Sequence, residues 1–507
     1  MYTSISASQW GSPTASRRVL LIHGLTMSSQ SWEGVAQLLA TEGFFVVAPN
    51  LLGHAWRRGT DTDYRVSTLA EDLRPYFVMD TSYDVIIGHS LGGAVTLSLL
   101  PLLSNTKETT VILLDPALEL TKEIADKCEN WFLKEIANLR TADDHMAENP
   151  VWSRGDSMLR ALGISMCDHT VVKRIFEHNR PWSFSGLFKN VSPQVNITVL
   201  ASDPALGAIC HLEHVPCDVA RLRAKVFIGI GHWIQYETIS KHDPIPSPSR
   251  TRKHPSHLSV DMTISASQWG SPTASRRALL IHGLTMSSQS WEGIAQLLVA
   301  DGFFVVAPNL LGHAWRQGTD YRISDIAEDL RSYFAMGTSY DVIIGHSLGG
   351  PVALSLLPFL PKTQETTVIL LDPALELTEE KMKINTQLVL NEMSRIRTPE
   401  EHMAENPAWS RRDCILRVLG MAMYDRTAIE ILRQNTPWSF TGLLKNIPPN
   451  VKITVLISDP KFNAFLDYVP LDMENVNSKV LTGIGHWIQY ELPRAIMDEI
   501  PLPRAKL

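Results

Sequence analysis

A serine that could act as a nucleophile occurs in the same short segment twice along the 507-residue chain. In Gly-His-Ser-Leu-Gly-Gly, Ser90 follows the apolar run of a predicted strand and precedes the apolar residues of a predicted helix, and Ser347 does the same in the second segment. A tight strand-to-helix turn of this kind projects the hydroxyl at the helix N-terminus, where the helix dipole favours a developing negative charge. We therefore predict that Ser90 and Ser347 are nucleophiles.

A histidine that could serve as the base follows the last predicted strand of each half. It is His232 in the first Gly-Ile-Gly-His-Trp segment and His486 in the second. A serine hydroxyl is a weak nucleophile unless a base accepts its proton, and a loop in this position can return the imidazole to the serine. Three further pairs of histidines lie inside turn motifs, where bonding to the backbone is the expected role: His23/His282, His54/His313 and His89/His346.

The acid that would orient each imidazole has two candidates per half. Asp203 and Asp459 each end a strand in a Ser-Asp-Pro segment shortly before the histidine, and we favour them for this reason. Asp115 and Asp372 end an earlier strand in Leu-Leu-Asp-Pro-Ala-Leu and are the rival candidates. Their alternative role is to bond backbone N–H groups where a helical insertion begins.

Backbone N–H groups would form the oxyanion hole that stabilises negative charge on the attacked carbonyl oxygen. One should come from the residue directly after the nucleophile, which is Leu91 or Leu348, and the other from the loop after the first buried strand. In that loop, His-Gly-Leu-Thr, the expected donors are Leu25 and Leu284, because the preceding glycine lets the backbone approach the serine.

Six recurring tryptophans could line an apolar pocket for the substrate. Four lie in helical insertions at about 116–190 and 373–446, which we expect to form a lid that sets specificity, and two adjoin the candidate bases. Packing between helices is the alternative role of these side chains. The residues are Trp152, Trp182, Trp233, Trp409, Trp438 and Trp487.

The elements that must position these groups follow from an alternation of short apolar runs with helical segments, which is typical of βαβ units on a mostly parallel sheet. The expected strands of the first half are 19–22, 44–48, 85–87, 111–114, 197–201 and 226–230. Its expected helices are 32–40, 66–77 and 91–100. About 80 residues without a strand pattern follow the fourth strand. We therefore predict an α/β fold, with helices flanking the sheet and a helical lid.

The chain is a tandem duplication. Residues 5–41 and 264–300 align without a gap and differ at four positions, and a period of about 257 residues corresponds to a whole domain rather than a solenoid repeat. Residues 240–261 are rich in proline, serine and basic side chains, which predicts a linker between a first domain over 1–239 and a second over 262–507. A fusion of two neighbouring units, in the genome or only in the gene model, is the hypothesis for its origin.

The composition excludes several classes of partner. With 46 basic and 53 acidic residues the formal net charge is −7, which gives no electrostatic reason to bind nucleic acid or an anionic membrane. No apolar run approaches the roughly 20 residues of a membrane helix, and the first residues lack the pattern of a secretory signal, so that a cytoplasmic protein with a small-molecule substrate is expected. The five cysteines do not recur between the halves, and neither a metal site nor a cofactor is predicted.

The motifs of each half resemble the α/β-hydrolase superfamily over nearly the whole of that half. The His-Gly turn, Ala-Pro-Asn-Leu-Leu-Gly-His, the Gly-His-Ser-Leu-Gly-Gly elbow, Ser-Asp-Pro and Gly-His-Trp stand in the family's usual order. Asn50 and Asn309 depart from the family, which commonly has aspartate there, as do Ala55 and Ala314, where it often has glycine. The serine nucleophile differs from the aspartate of the family's haloalkane dehalogenases and epoxide hydrolases.

The resemblance implies acyl transfer through a Ser-His-Asp triad with no cofactor. The expected function is a serine hydrolase that cleaves a carboxylic ester or lactone of a small, largely apolar molecule. A thioesterase, an amidase or a carbon–carbon bond hydrolase would use the same triad, and a non-catalytic ligand-binding protein could be built on the same fold. Catalysis is favoured because both halves keep the triad residues, while the activity of each copy and the oligomeric state stay open.

Overall fold

The computed structural model describes residues 5–57, 63–77, 81–103, 107–219, 221–238, 264–462 and 475–501. The chain forms two compact units, residues 1–263 and 264–507, which are named domain 1 and domain 2 below. The linker predicted over 240–261 lies outside the described residues. Within the described ranges, no helix combines the length and the apolar character that crossing a bilayer requires.

Domain 1 is built on a mostly parallel sheet. Its strands are β1 (Ser6–Trp10), β2 (Arg17–Ile22), β3 (Phe44–Pro49), β4 (Val85–His89), β5 (Thr109–Leu114), β6 (Glu119–Leu120), β7 (Trp182–Ser183), β8 (Val195–Ala201) and β9 (Leu222–Val226). Seven of the described strands form one sheet in the order β1-β3-β2-β4-β5-β8-β9. β1 is antiparallel to β3, whereas the other pairs of neighbours are parallel. β6 and β7 form a separate two-stranded ribbon.

Helices cover both faces of this sheet, which explains why its central strands β2, β4 and β5 are apolar over most of their length. The helices are α1 (Glu33–Thr41), α2 (Val66–Asp72), α3 (Leu91–Leu99), α4 (Lys122–Ala137), α5 (Ala142–Glu148), α6 (Arg154–Ser165), α7 (His169–His178) and α8 (Ile234–Glu237). Residues 19–22 of β2 are completely buried between the two layers. Helices α4 to α7 follow β5 and precede β8, and they form the lid insertion that the sequence predicts.

Each lid helix begins at a side chain that accepts a hydrogen bond from the first turn. Such capping satisfies backbone N–H groups that have no partner inside the helix. The capping residues of α4, α5, α6 and α7 are Thr121, Thr141, Ser153 and Asp168. The lid is therefore divided into separate helices by the sequence itself.

Domain 2 repeats the architecture. Its strands are β10 (Ser265–Trp269), β11 (Arg276–Ile281), β12 (Phe303–Pro308), β13 (Val342–His346), β14 (Thr366–Leu371), β15 (Val451–Ser458) and β16 (Val476–Leu481). Its helices are α9 (Glu292–Ala300), α10 (Ile323–Asp329), α11 (Gly349–Ser355), α12 (Glu379–Ser394), α13 (Pro399–Glu405), α14 (Arg411–Ala422), α15 (Glu430–Gln434), α16 (Ile488–Glu491) and α17 (Pro493–Met497). The described strands follow the order β10-β12-β11-β13-β14-β15-β16.

The predicted α/β fold is confirmed, but three details differ from the prediction. The last strand of domain 1 is β9 at 222–226, whereas residues 226–230, predicted as that strand, lie at its end and in the following turn. The insertion, expected to contain no strand, contributes β6 and β7. β1 was not predicted at all.

Candidate active site

Ser90 stands at a strained turn between β4 and α3. Its backbone has φ 53° and ψ −118°, a conformation that a residue with a side chain rarely adopts. Ser347 has φ 52° at the equivalent turn of domain 2. A side chain at Gly92 would come closer than 3.0 Å to the carbonyl oxygen of Ile22, so that only glycine allows the helix to start this near to β2. The predicted serine elbow is therefore present in both domains.

The imidazole of His232 is bonded to the carboxylate of Asp115. Nδ1 of His232 lies 2.6 Å from Oδ2 of Asp115, and the same atoms of His486 and Asp372 are also 2.6 Å apart. The side chain of Asp115 is completely buried, while 16 % of the side chain of His232 is exposed. In domain 1 this contact uses Nδ1 of His232, so that proton transfer with a second group would fall to Nε2 on the opposite edge of the ring.

The preference for Asp203 and Asp459 as the acids is corrected by these contacts. The carboxylate of Asp203 accepts backbone N–H groups of Ala205 and Gly229, and that of Asp459 accepts those of Lys461 and Gly483. Each aspartate thus holds the glycine turn that leads to the histidine instead of contacting the imidazole ring. The aspartate that is nearer to the histidine in sequence is therefore the one that bonds the backbone of the loop, and not the one that contacts the ring.

The buried carboxylate of Asp115 is kept ionised by its partners. Burial alone would raise its pKa, but the hydrogen bond and charge of His232, together with backbone N–H groups of Ile209 and Ser202, lower the pKa to about 2. The N–H group of Cys210 donates to the same carboxylate. Because Asp115 is an anion at neutral pH, the hydrogen on His232 is held at Nδ1, and Nε2 carries the free lone pair.

The loop that carries the predicted oxyanion donor Leu25 is held by two side chains. The N–H group of Thr26 donates to Nε2 of His54, and Nη1 of Arg160 donates to the carbonyl and hydroxyl oxygens of Thr26 at 3.0 and 2.8 Å. Thr26 itself has φ 56°. Arg160 also places its guanidinium 4.4 Å from the ring centre of Trp233, next to the histidine.

Arg160 and its counterpart Arg417 were not singled out from the sequence. Arg417 makes the same bonds to Thr285 and lies 4.7 Å from the ring centre of Trp487. The available signal was the recurrence of an arginine on the otherwise apolar face of a lid helix in both copies. Such a buried cation requires partners, which here are the oxyanion loop, a tryptophan face and the carboxylate of Glu135 or Glu392.

The other recurring histidines of domain 1 bond to the backbone as predicted. Nε2 of His89 lies 3.0 Å from the carbonyl oxygen of His232, and Nε2 of His23 accepts the N–H group of Leu51. Burial lowers the pKa of His89 to about 3 and that of His54 to about 4, so both rings are neutral at physiological pH.

A cavity of about 520 Å³ brings the candidate groups of domain 1 together. Ser90, His232, Leu25 and Leu91 all line it. The remaining lining is mostly apolar and includes Leu120, Trp131, Phe132, Phe176, Trp182 and Trp233. In domain 2, a cavity of about 230 Å³ is lined by the equivalent Ser347, His486, Leu284 and Leu348.

The recurring tryptophans divide into two groups. Those that line a cavity are Trp182 and Trp233 in domain 1 and Trp438 and Trp487 in domain 2. Trp152 and Trp409 are instead buried, and the centres of their rings lie 5.0 Å from those of Tyr236 and Tyr490, respectively. Trp152 and Trp409 therefore have the packing role that was the alternative. The other two pairs of tryptophans line a cavity, as the pocket prediction requires.

The chain belongs to the α/β-hydrolase superfamily. Residues 17–148 match the family model described as the alpha/beta hydrolase fold, and residues 278–499 match the one described as the alpha/beta hydrolase family. The two matches fall in different domains, and the tandem copies predicted from the sequence are confirmed.

Individual relatives match parts of the chain. An uncharacterized protein of Mycobacterium tuberculosis is 42 % identical over 80 residues, 16 % of this chain and 23 % of that one. The lipase LipV of the same organism is 34 % identical over 124 residues, 22 % of this chain and 44 % of that one. A serine hydrolase-like protein of Dictyostelium discoideum is 25 % identical over 195 residues, 36 % of this chain and 47 % of that one. The chain thus spans less than half of each relative.

Solved structures match one domain's length of the chain. An esterase from Exiguobacterium antarcticum has 14 % sequence identity and a TM-score of 0.38, and the match covers 47 % of this chain and 92 % of that one. A thermophilic esterase from Thermogutta terrifontis has 18 % identity and a TM-score of 0.37, with coverages of 48 % and 93 %.

Proposed function

We propose that each domain is a serine hydrolase that cleaves a carboxylic ester or lactone of a small, largely apolar molecule. The observation that carries this proposal is the 2.6 Å contact between imidazole and buried carboxylate, made by His232 with Asp115 and by His486 with Asp372. Each of these histidines lines the same cavity as the serine of the elbow. A base that is oriented by an acid and lies beside a hydroxyl is the arrangement that nucleophilic acyl transfer requires.

The first half-reaction would form an acyl-enzyme. Oγ of Ser90 attacks the carbonyl carbon, Nε2 of His232 accepts the hydroxyl proton, and the carbonyl π electrons move onto oxygen. The N–H groups of Leu25 and Leu91 donate to this oxyanion. When the tetrahedral intermediate collapses, the bond to the alcohol oxygen breaks and the imidazolium protonates that oxygen.

Water would complete the cycle through the same groups. The imidazole accepts a proton from water, whose oxygen attacks the acyl carbon, and collapse of the second intermediate returns the proton to Oγ of Ser90. The anion of Asp115 stabilises the imidazolium in both steps. In domain 2 the same roles fall to Ser347, His486, Asp372, Leu284 and Leu348.

The apolar lining supports the proposed substrate class. Burying the hydrocarbon part of an ester against Leu120, Phe132 and Trp182 is favourable by about 25 cal/mol for each Å² of apolar surface removed from water. The hydrogen bonds from the oxyanion donors to the carbonyl oxygen strengthen as negative charge develops on that oxygen. They therefore stabilise the transition state more than the bound substrate.

Replacement of both nucleophiles tests the proposal. In the full chain, Ser90→Ala combined with Ser347→Ala should lower kcat for short-chain p-nitrophenyl esters and lactones by several powers of ten, because neither domain can form an acyl-enzyme. The matched control is Ser12→Ala with Ser271→Ala, since these equivalent hydroxyls bond neighbouring threonines at the surface. Turnover by the double elbow variant near that of the control would contradict the assignment.

A further inference from the structure

The two domains place identical catalytic segments in cavities of different size and lining. The oxyanion loop, the serine elbow and the segment around the base have the same sequence in both copies. The cavities nevertheless measure about 520 Å³ in domain 1 and about 230 Å³ in domain 2. The lid residues that line the two cavities are one source of this difference.

Three aromatic side chains of the domain 1 cavity are replaced by aliphatic ones in domain 2. They are Trp131 and Phe132 on α4 and Phe176 on α7. Their counterparts, which also line the cavity, are Leu388, Val389 and Leu432. Flat rings offer a large apolar surface and can stack against an aromatic ligand, whereas the branched aliphatic side chains offer less contact area.

Domain 2 turns polar groups toward its cavity. Asn385 on α12 lines the cavity at the position that Cys128 occupies on α4. Arg417 and Glu392 line it as well, with Nη2 of the arginine 2.5 Å from Oε2 of the glutamate. Because the two charges compensate each other, this wall is suited to a neutral group that forms hydrogen bonds rather than to an ionised one.

The corresponding arginine and glutamate of domain 1 do not line its cavity, where Lys127 on α4 is the charged lining residue. Among the described residues that line this cavity, neither Arg160 nor Glu135 occurs. The guanidinium of Arg160 lies 5.8 Å from the ring centre of Trp131. Only 1 % of the Arg160 side chain is exposed. In domain 1, Trp131 lines the cavity next to Arg160, whereas in domain 2 Arg417 itself lines the cavity and Leu388 stands at the position of the tryptophan.

We infer that the two domains have different substrate specificities, an inference that rests on the proposed hydrolase function. Domain 1 hydrolyses esters that bear a bulky aromatic group. Domain 2 hydrolyses esters with a small group that carries a neutral hydrogen-bonding function such as a hydroxyl. The residues that set this difference are those of α4 and α12, with Trp131 and Leu388 at the decisive position.

Single-nucleophile chains separate the two specificities. The full chain with Ser347→Ala reports on domain 1, and the full chain with Ser90→Ala reports on domain 2. The substrates are methyl phenylacetate and benzyl acetate as aromatic esters, and methyl glycolate and ethylene glycol monoacetate as hydroxyl-bearing esters. The measured quantity is the ratio of kcat/KM for the aromatic pair to kcat/KM for the hydroxyl pair, because intrinsic ester reactivity cancels when this ratio is compared between chains.

We expect the ratio to be at least about tenfold larger in the Ser347→Ala chain than in the Ser90→Ala chain, which is the discrimination that a change of pocket packing commonly gives. A smaller difference overturns the inference while leaving the hydrolase function intact. If neither chain hydrolyses any ester, and neither serine reacts with a fluorophosphonate, the proposed function fails and this inference fails with it. Turnover by one chain alone also overturns it.

Replacing the cavity-lining residues of α4 by their domain 2 counterparts tests whether these residues set the specificity. In the Ser347→Ala chain, Trp131→Leu with Phe132→Val should lower the ratio by about tenfold toward the domain 2 value. Asn130→Ala is the matched control, because Asn130 is exposed on the same helix and bonds the backbone oxygen of Asp126. An unchanged ratio in the exchanged variant overturns the role of these residues. Should that variant not fold, Leu388→Trp in the Ser90→Ala chain is the reciprocal test, in which the ratio should rise.

Discussion

The carboxylate of Asp115 accepts hydrogen bonds from backbone N–H groups as well as from the imidazole. The N–H groups of Ser202, Ile209 and Cys210 donate to its two oxygens, and His232 completes the set. Asp115 also has φ 37°, a backbone conformation that is unfavourable for a residue with a side chain. An arrangement that offsets both burial of a charge and backbone strain is typical of a group whose position serves function.

Replacement of Asp115 should impair catalysis specifically. In the Ser347→Ala chain, Asp115→Asn should lower kcat for ester hydrolysis by about 10⁴-fold, because an amide neither holds the Nδ1–H tautomer nor stabilises the imidazolium. With a pKa of about 2, Asp115 is ionised over the whole range of such an assay, from about pH 4 upward.

The matched control for this change is Asp203→Asn. Asp203 also accepts two backbone N–H groups, so that the same substitution disturbs a comparable set of hydrogen bonds without touching the imidazole. We expect its kcat to fall far less. If Asp203→Asn proves to be the more damaging change, the triad acid assigned here is wrong.

The strained serine turn and the position of the histidine could be predicted from sequence, but the carboxylate that contacts the histidine could not. Ser90 and His232 each sit in a short segment whose glycines prescribe the local backbone. Asp115 and Asp203 both end a parallel strand at the same edge of the sheet, and both accept backbone N–H groups. Which of two such carboxylates meets the ring depends on the path of a loop that sequence spacing does not specify.

At the scale of elements, the start of α3 depends on the absence of a side chain at Gly92. We expect Gly92→Ala to destabilise domain 1 by roughly 1–3 kcal/mol, because the added methyl group would overlap the backbone oxygens of Ile22 and His23, which cannot move without shifting β2. Ester hydrolysis by the Ser347→Ala chain should fall as well, since the same shift displaces Ser90. Urea denaturation of the full chain measures the change in the free energy of unfolding.

Gly186→Ala provides the comparison for the elbow glycine. Nothing lies within 4 Å of the position its new methyl group would take, so the free energy of unfolding should hardly change. Equal stability of the two variants would mean that α3 and β2 are not in the close contact described above.

The strands that were predicted well are those whose burial gives a continuous apolar run, such as β2 and β5. β9 was misplaced because it is Leu-Arg-Ala-Lys-Val at the edge of the sheet, where charged side chains face solvent and the apolar run falls just after the strand. β1 was missed because Ser-Ala-Ser-Gln-Trp is largely polar. Its buried Ser8 is satisfied by a hydrogen bond with Ser29, a long-range pairing that local sequence does not indicate.

At the scale of the whole molecule, the duplication gives one chain two complete candidate sites. We expect intact-mass analysis after reaction with a fluorophosphonate to detect two modified serines per chain. Ser90→Ala or Ser347→Ala should each reduce this number to one, and the double variant should not react. The reason is that each domain has its own candidate base and acid, which lie in contact with each other.

Kinetics provide the complementary measurement. If the two sites act independently, the rate of the unmodified chain on any ester should equal the sum of the rates of the two single-nucleophile chains. A stoichiometry of one in the unmodified chain would contradict the assignment of a functional elbow to both domains, and it would identify the inactive copy by the serine that stays unmodified.

The different linings of the two cavities have a consequence for inhibition of the chain. A reagent directed at the common serine chemistry would silence both centres together. An inhibitor whose aromatic moiety fills the space beside Trp131 would discriminate between them and leave the second centre working. Two gene products would ordinarily be needed to offer that choice, and here a single polypeptide carries both targets in fixed one-to-one proportion.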